Sequence, residues 1–181
     1  IKSYADRYPG RVVLVQQENR GQTPAINVGM RKASGDVICW INSDDTFCPG
    51  VFAAVRLCYA QHPDTDIVFG DMNVTDLEGR FMYRRRHLNF NFAMGCLLGF
   101  TTVLSSNAVF WRREAMLKNG YFDETLKCNM DGDFYARLTH GMRVRRLNMA
   151  FANFRKQPHT KAAEKNKNWD EIVAREVRME R

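Results

Sequence analysis

The sequence lacks a long hydrophobic run, a pair of cysteines at metal-binding spacing and an initiator methionine. The longest apolar candidate, residues 93–104, is shorter than the roughly 20 residues that a membrane-spanning helix needs, and glycines interrupt it. The five cysteines are widely spaced and form no Cys-x-x-Cys pattern, which argues against a structural zinc site. Reduced cysteines of this kind are typical of a cytoplasmic protein.

The chain begins with Ile1, which indicates a fragment or a processed product. Internal repeats, low-complexity segments and linkers rich in proline, glycine or serine are also missing. The composition, with 45% hydrophobic residues, is ordinary for a globular protein. Because 181 residues are enough to bury one core, we predict a single domain over residues 1–181.

Basic residues outnumber acidic ones and give a net charge of +7. A nucleic acid, an anionic membrane surface or a phosphorylated substrate would each account for such an excess. The basic run Arg84-Arg85-Arg86 is short and has no accompanying aromatic motif, so nucleic acid is not expected as a partner. Peripheral contact with a membrane stays open.

Apolar segments and helical segments alternate in the first 70 residues. Strand-like runs at 12–15, 37–41 and 66–70 are separated by helical patterns at 23–33 and 50–61. This alternation predicts an α/β fold with a mostly parallel sheet flanked by helices. Later segments predict a hairpin over 72–85, strands at 108–111, 143–147 and 150–154, and helices at 113–119, 130–140 and 166–181.

Two adjacent carboxylates follow the strand at 37–41, in the sequence Asn42-Ser43-Asp44-Asp45. The carboxyl edge of an open α/β sheet is where ligands bind. Two like charges at that edge need a cation, and carboxylate oxygens suit Mg²⁺ or Mn²⁺, which commonly also hold substrate phosphates. The alternative, of similar weight from these residues alone, is that both carboxylates only start a turn before Pro49-Gly50.

A second acidic cluster, Asp131-Gly132-Asp133, opens the helix predicted at 130–140. The helix dipole stabilises a carboxylate at this position. Asp131 is a candidate functional residue, and the alternative is that it only caps the helix.

Three segments together resemble the family 2 glycosyltransferases of the GT-A fold. Their order and spacing match that family across nearly the whole chain. The segments are residues 18–36 leading into the Asp-Asp loop, Phe69-Gly70-Asp71, and residues 120–138 with Gly120-Tyr121-Phe122-Asp123-Glu124 and Met130-Asp131-Gly132-Asp133. Relative to the family, the chain is expected to lack the first strand–helix–strand unit, which binds the nucleotide base.

The resemblance implies an inverting hexosyl transfer from a nucleotide-diphosphate sugar to an acceptor hydroxyl, with Mg²⁺ or Mn²⁺. Asp131 matches the general base of the family. Asp45, and next to it Asp44, match the metal and diphosphate motif, while Asn42 stands where the family usually has another aspartate. Arg137 is expected to pair with a nearby carboxylate.

The resemblance also implies a donor-binding side. Arg20 and Asn27 match the donor-side loop and helix, and Arg155 and His159 match a late basic segment that closes over the diphosphate, although a lone histidine is equally often structural. The implied acceptor is a glycan or a lipid-linked molecule, contacted by residues 92–107. Bacterial polysaccharide or glycolipid synthesis, at the cytoplasmic face of the inner membrane, would fit this chemistry. The alternative is a non-catalytic scaffold that binds sugar nucleotides.

Overall fold

A computed structural model of the chain describes residues 1–126 and 129–156. Helices lie on both faces of one six-stranded sheet. The helices are α1 (Lys2–Arg7), α2 (Gln22–Lys32), α3 (Val51–Gln61), α4 (Phe92–Leu98), α5 (Phe100–Val103), α6 (Arg113–Asn119) and α7 (Met130–Thr139), with a 3₁₀ turn at Ser106–Ala108. The strands are β1 (Val37–Ile38), β2 (Thr46–Phe47), β3 (Ile67–Thr75), β4 (Phe81–Arg85), β5 (Val109–Arg112) and β6 (Val144–Arg155).

The long strand β3 is the centre of the sheet. It pairs with β6 in parallel and with both β4 and β5 in antiparallel orientation, while β1 pairs antiparallel with β5 and β2 antiparallel with β6. The mixed α/β class with flanking helices is confirmed, but the expectation of a mostly parallel sheet is wrong for the described residues. The reason is that β5 runs in the opposite direction between β1 and β3, and that β4 returns from β3 as a hairpin.

The apolar segment 12–15 was expected to form a strand, but it pairs with no strand in the part of the chain that the structure describes. Val13 is 69% exposed. A strand is stable only when its backbone groups are hydrogen-bonded to a neighbouring strand, and this segment is paired with none of the described strands. The predicted strand at 37–41 is likewise shorter, because only Val37–Ile38 pairs with β5.

Alternating side chains of β3 separate the core into two layers. Ile67 and Phe69 pack in the cluster that contains Trp111 and Phe134 of α7, whereas Val68 packs in the opposite cluster with α3. This division follows the two-residue period of a strand. The sheet is therefore fixed from both sides, which holds the ends of β3 and β6 in place for the polar residues that follow.

Gly70 allows β3 and β6 to approach closely at a register shift in their pairing. A Cβ atom at this position would collide with the ring of Phe151 and lie 2.6 Å from the carbonyl oxygen of Met149. The glycine therefore sets the position of the next residue, Asp71, which is fully buried. No helix in residues 1–126 and 129–156 is long and apolar enough to cross a membrane.

Candidate active site

A cleft of about 790 Å³ opens where the start of α2, the start of α7 and the turn before β5 meet. Three of the residues singled out from the sequence, Arg20, Asn42 and Asp131, line this cleft. These residues are far apart in the sequence and belong to three different segments. The fold thus brings the donor-side loop, the Asp-Asp loop and the candidate base to one site.

Asp131 is held firmly at the start of α7. Its Oδ2 accepts a hydrogen bond of 2.7 Å from the hydroxyl of Ser106, and its Oδ1 accepts one of 3.1 Å from the backbone N–H of Gly132. Ser106 is fixed in turn, because the Tyr135 hydroxyl donates to its carbonyl oxygen at 2.8 Å. Burial, and to a lesser degree the charge of Asp131, raises the pKa of Tyr135 well above its usual value, so this phenol remains a donor.

The Asp45 carboxylate connects three separate segments of the chain, and we refer to it as a structural clamp. Its side chain is buried, with the residue 8% exposed. Oδ1 accepts from the backbone N–H of Arg155 at 2.9 Å, and Oδ2 accepts from the side-chain amide of Asn107 at 3.0 Å and from that of Asn42 at 3.4 Å. Burial raises the pKa of Asp45 and these donors partly oppose the rise. The carboxylate therefore ties its own loop to β6 and to the turn before β5.

Asp44, the neighbouring carboxylate, is half-buried and lines a smaller pocket of about 160 Å³. Arg155 also lines this pocket, together with polar side chains of β2, β3 and β6. Asp44 thus borders a cavity, whereas Asp45, which the sequence expectation placed first as a metal ligand, is buried among its hydrogen-bond donors.

Asn42 lies in the wall of the cleft, between Gln22 of α2 and the carboxylate of Asp45. Its side-chain oxygen accepts a hydrogen bond of 2.9 Å from Gln22, and its amide nitrogen donates to Asp45. Asn27, in contrast, is not among the cleft-lining residues and is only 1% exposed. It donates to the carbonyl oxygen of Phe122 at 2.9 Å and to the carboxylate of Glu124 at 2.8 Å, so its role in the fold is to join α2 to a cleft-lining segment.

The expected pairing of Arg137 is confirmed. Its guanidinium lies 2.6 Å from the Asp133 carboxylate and also donates to the carbonyl oxygens of Asn119 and Tyr121. This arginine therefore holds the 120–122 turn against α7. His159 and the helix-prone segment 166–181 lie outside the described residues.

Sequence reasoning missed Ser106 and Asn107, which contact the two carboxylates of the site. A usable signal was the polar run Ser105-Ser106-Asn107 directly before the apolar strand β5. Because β5 runs antiparallel to β1 and β3, its start lies toward the carboxyl ends of those two strands, which is the edge where ligands bind in open α/β sheets.

No group of three or more histidine, cysteine, aspartate or glutamate side chains is arranged to hold a metal within the described ranges. Mg²⁺ does not need such a cage, because it is usually bound by one or two carboxylates together with substrate phosphates and water. The oxygen donors of Asp44 fit that mode of binding.

Known proteins share both the sequence pattern and the fold. The family model named Glycosyl transferase family 2 matches residues 1–126. The chain is 30% identical over 140 residues to the uncharacterised glycosyltransferase YwdF of Bacillus subtilis, covering 75% of this chain and 50% of YwdF. It is 29% identical over 135 residues to the B. subtilis minor teichoic acid biosynthesis protein GgaB, covering 72% of this chain and 15% of GgaB.

The crystal structure of S. aureus TarS 1-349 in complex with UDP-GlcNAc superposes with a TM-score of 0.66 and 17% identity, covering 88% of this chain and 47% of that one. The structure of the same TarS segment in complex with UDP gives a TM-score of 0.64 at 16% identity, covering 87% and 46%. The chain thus spans half or less of the length of these relatives. From the family match and the shared fold, the chain belongs to glycosyltransferase family 2 and has the GT-A fold.

Proposed function

We propose that the chain transfers a sugar from a nucleotide-diphosphate donor to an acceptor hydroxyl, with inversion at the anomeric carbon and Asp131 as the general base. The observation that carries this proposal is the position of Asp131 in the cleft, where both of its oxygens are oriented by hydrogen bonds. A carboxylate held in this way can accept a proton without first having to reorganise.

The reaction is a single displacement. The acceptor oxygen forms a bond to the anomeric carbon while its proton moves to Asp131. The bond between that carbon and the diphosphate oxygen breaks, and its electron pair leaves with the nucleoside diphosphate. Attack from the face opposite the leaving group inverts the configuration.

The donor is proposed to be a UDP-sugar, because TarS was solved with UDP and with UDP-GlcNAc. Arg20 and Asn42 line the same cleft as the base and supply a cation and an amide on the donor side. Asp44 would hold Mg²⁺ or Mn²⁺ together with the diphosphate, and Arg155 lines the same small pocket. When bound, the metal neutralises the charge that develops on the leaving diphosphate.

The acceptor is proposed to be a glycan or a lipid-linked molecule in cell-surface polysaccharide synthesis. This rests on the similarity to GgaB, whose name refers to minor teichoic acid biosynthesis. We place the reaction at the cytoplasmic face of the membrane, in keeping with the net charge of +7.

Donor turnover tests the proposal directly. UDP release from UDP-GlcNAc is measured with Mn²⁺ for the wild type, Asp131→Asn and the matched control Asp64→Asn, whose exposed carboxylate pairs with Arg143. Removal of the base should lower kcat by about 100-fold or more, whereas the control should keep wild-type kcat. Metal-dependent binding of UDP by calorimetry, with no turnover of any nucleotide sugar, would instead establish the non-catalytic scaffold.

A further inference from the structure

Arg85, the last residue of β4, lies in the wall of the cleft. Its Nη2 donates to the carbonyl oxygens of Thr101 and Thr102, at 3.0 and 3.3 Å. Within the described ranges no carboxylate pairs with it, and its Nε and Nη1 have no acceptor. The guanidinium is therefore pinned by one nitrogen and has further donors available to a ligand.

The buried carboxylate of the neighbouring strand does not neutralise Arg85. Asp71 already pairs with Arg146 at 2.7 Å and accepts the backbone N–H of His87 at 3.1 Å. The His87 ring, which hydrogen-bonds Ser105 at 3.0 Å, has a lowered pKa, first because of burial and next because of the positive charge of Arg85. Among the residues that the structure describes, no carboxylate therefore forms an ion pair with Arg85.

Arg85 belongs to a different wall of the cleft from the donor-side residues. Arg20 precedes α2, and Asn42 follows β1, whereas Arg85 ends β4 and holds α5. Thr101 and Ser105 line the cleft beside it and fall within residues 92–107, the segment expected to contact the acceptor. Because the resemblance assigns residues 92–107 to the acceptor, Arg85 is assigned with them to the acceptor side of the cleft.

We propose that Arg85 binds a phosphate group of the acceptor, so that the preferred acceptor is a phosphate ester whose free hydroxyl reacts. The inference rests on the proposed function and adds the chemical class of its second substrate. A guanidinium suits this task because its planar donors match phosphate oxygens and its charge persists at every physiological pH. The phosphate could belong to a phosphodiester-linked polyol chain or to the head group of a lipid, and both present the same oxygens.

The experiment measures binding to three probes by the wild type, Arg85→Gln, Arg85→Lys and Arg86→Gln. The probes are a short phosphodiester-linked polyol oligomer, the same polyol without phosphate, and vesicles of zwitterionic lipid that carry a lipid whose phosphodiester head group has free hydroxyls. Arg86→Gln removes the same charge from an exposed neighbour and is the matched control. Melting temperature and the affinity for UDP with Mn²⁺ report the fold and the donor site separately.

Arg85→Gln should weaken binding of one phosphorylated probe about 10- to 100-fold, as expected for a charge-assisted hydrogen bond, and Arg85→Lys should weaken it less. Arg86→Gln should change it by no more than about twofold. Loss on the oligomer identifies the polymer phosphate, and loss on the vesicles identifies the lipid phosphate. Equal weakening by the two Gln variants, or a wild type that binds the unphosphorylated polyol equally well, overturns the inference. A failure of the proposed function would be detected in different measurements, because the wild type would then not bind UDP or would not turn over the donor.

Discussion

Replacement of Asp45 by asparagine should destabilise the protein in the absence of any metal. The carboxylate accepts from a backbone N–H on one oxygen and from two side-chain amides on the other. Asparagine has one acceptor oxygen, so whichever way the amide turns, its NH₂ faces a donor and at least one buried hydrogen bond is lost. An unsatisfied buried donor costs about 1–3 kcal/mol.

Burial of the charged carboxylate, which raises the pKa of Asp45, is itself unfavourable, and its removal offsets part of this loss. The unfolding free energy should therefore fall by about 2 kcal/mol. For a chain of this size the melting temperature then falls by about 4–8 °C. Asp44→Asn is the matched control. Because Asp44 is only half-buried and asparagine has the same shape, its effect on unfolding should stay within about 1 kcal/mol.

The assay is thermal unfolding followed by circular dichroism, with and without UDP and Mn²⁺. Ligand at 100 times its Kd adds about 2.7 kcal/mol to the unfolding free energy. Asp45→Asn should keep that increment, and Asp44→Asn should lose the part that depends on Mn²⁺. If Asp45→Asn melts like the wild type without ligand and loses the Mn²⁺-dependent increment, Asp45 is a metal ligand and the clamp interpretation is refuted.

Substitutions at three further positions probe the cleft and its support. In steady-state assays of UDP release, Ser106→Ala should lower kcat with little change in the KM for the donor, and Ser106→Thr should keep a kcat close to that of the wild type. An equal loss of kcat in both variants would argue against a hydroxyl that orients the candidate base. Gly70→Ala should lower the urea midpoint, since overpacking against the Phe151 ring costs about 1–3 kcal/mol or more, and an unchanged midpoint would contradict the close approach. Burial and the Arg85 charge lower the pKa of His87, so the folded state binds this proton less readily than the unfolded chain. The stability that neutral His87 contributes is present above its unfolded pKa of about 6.5 and is lost as the pH falls below that value. The urea midpoint of His87→Gln should therefore fall less than that of the wild type when the pH is lowered from about 7.5 to 5.5.

Local signals in the sequence were sufficient for most helices and for the hairpin. The helix predicted at 113–119 has the observed bounds, and α2 and α3 begin and end within a residue of the predicted limits. These elements depend on neighbouring residues, such as Gly120 after α6 and Pro24 near the start of α2. Arg20, Asn42 and Asp131, which the resemblance selected from distant segments, line one cleft, and their chemical roles stay predictions.

Strand order and the roles of adjacent residues could not be obtained in this way. The insertion of β5 between β1 and β3 depends on packing between distant segments, for which a single sequence has no local signal. Asp44 and Asp45 are chemically identical neighbours, and only the backbone conformation decides which one turns inward to three donors. Asn27 carries a side chain suited to a ligand, but its partners at 122 and 124 were invisible without the fold.

The turn before β5 explains how one short segment serves the whole site. Ser106 and Asn107 begin a 3₁₀ turn, in which consecutive side chains point about 120° apart, and Ser105 precedes the turn in an extended conformation. Ser105, Ser106 and Asn107 reach three different partners, which are His87, the candidate base Asp131 and the buried carboxylate of Asp45. An α-helix or a strand at this position would direct successive side chains differently, and at least one contact would be lost. Three successive residues therefore fix the candidate base Asp131, the Asp-Asp loop and His87 relative to one another.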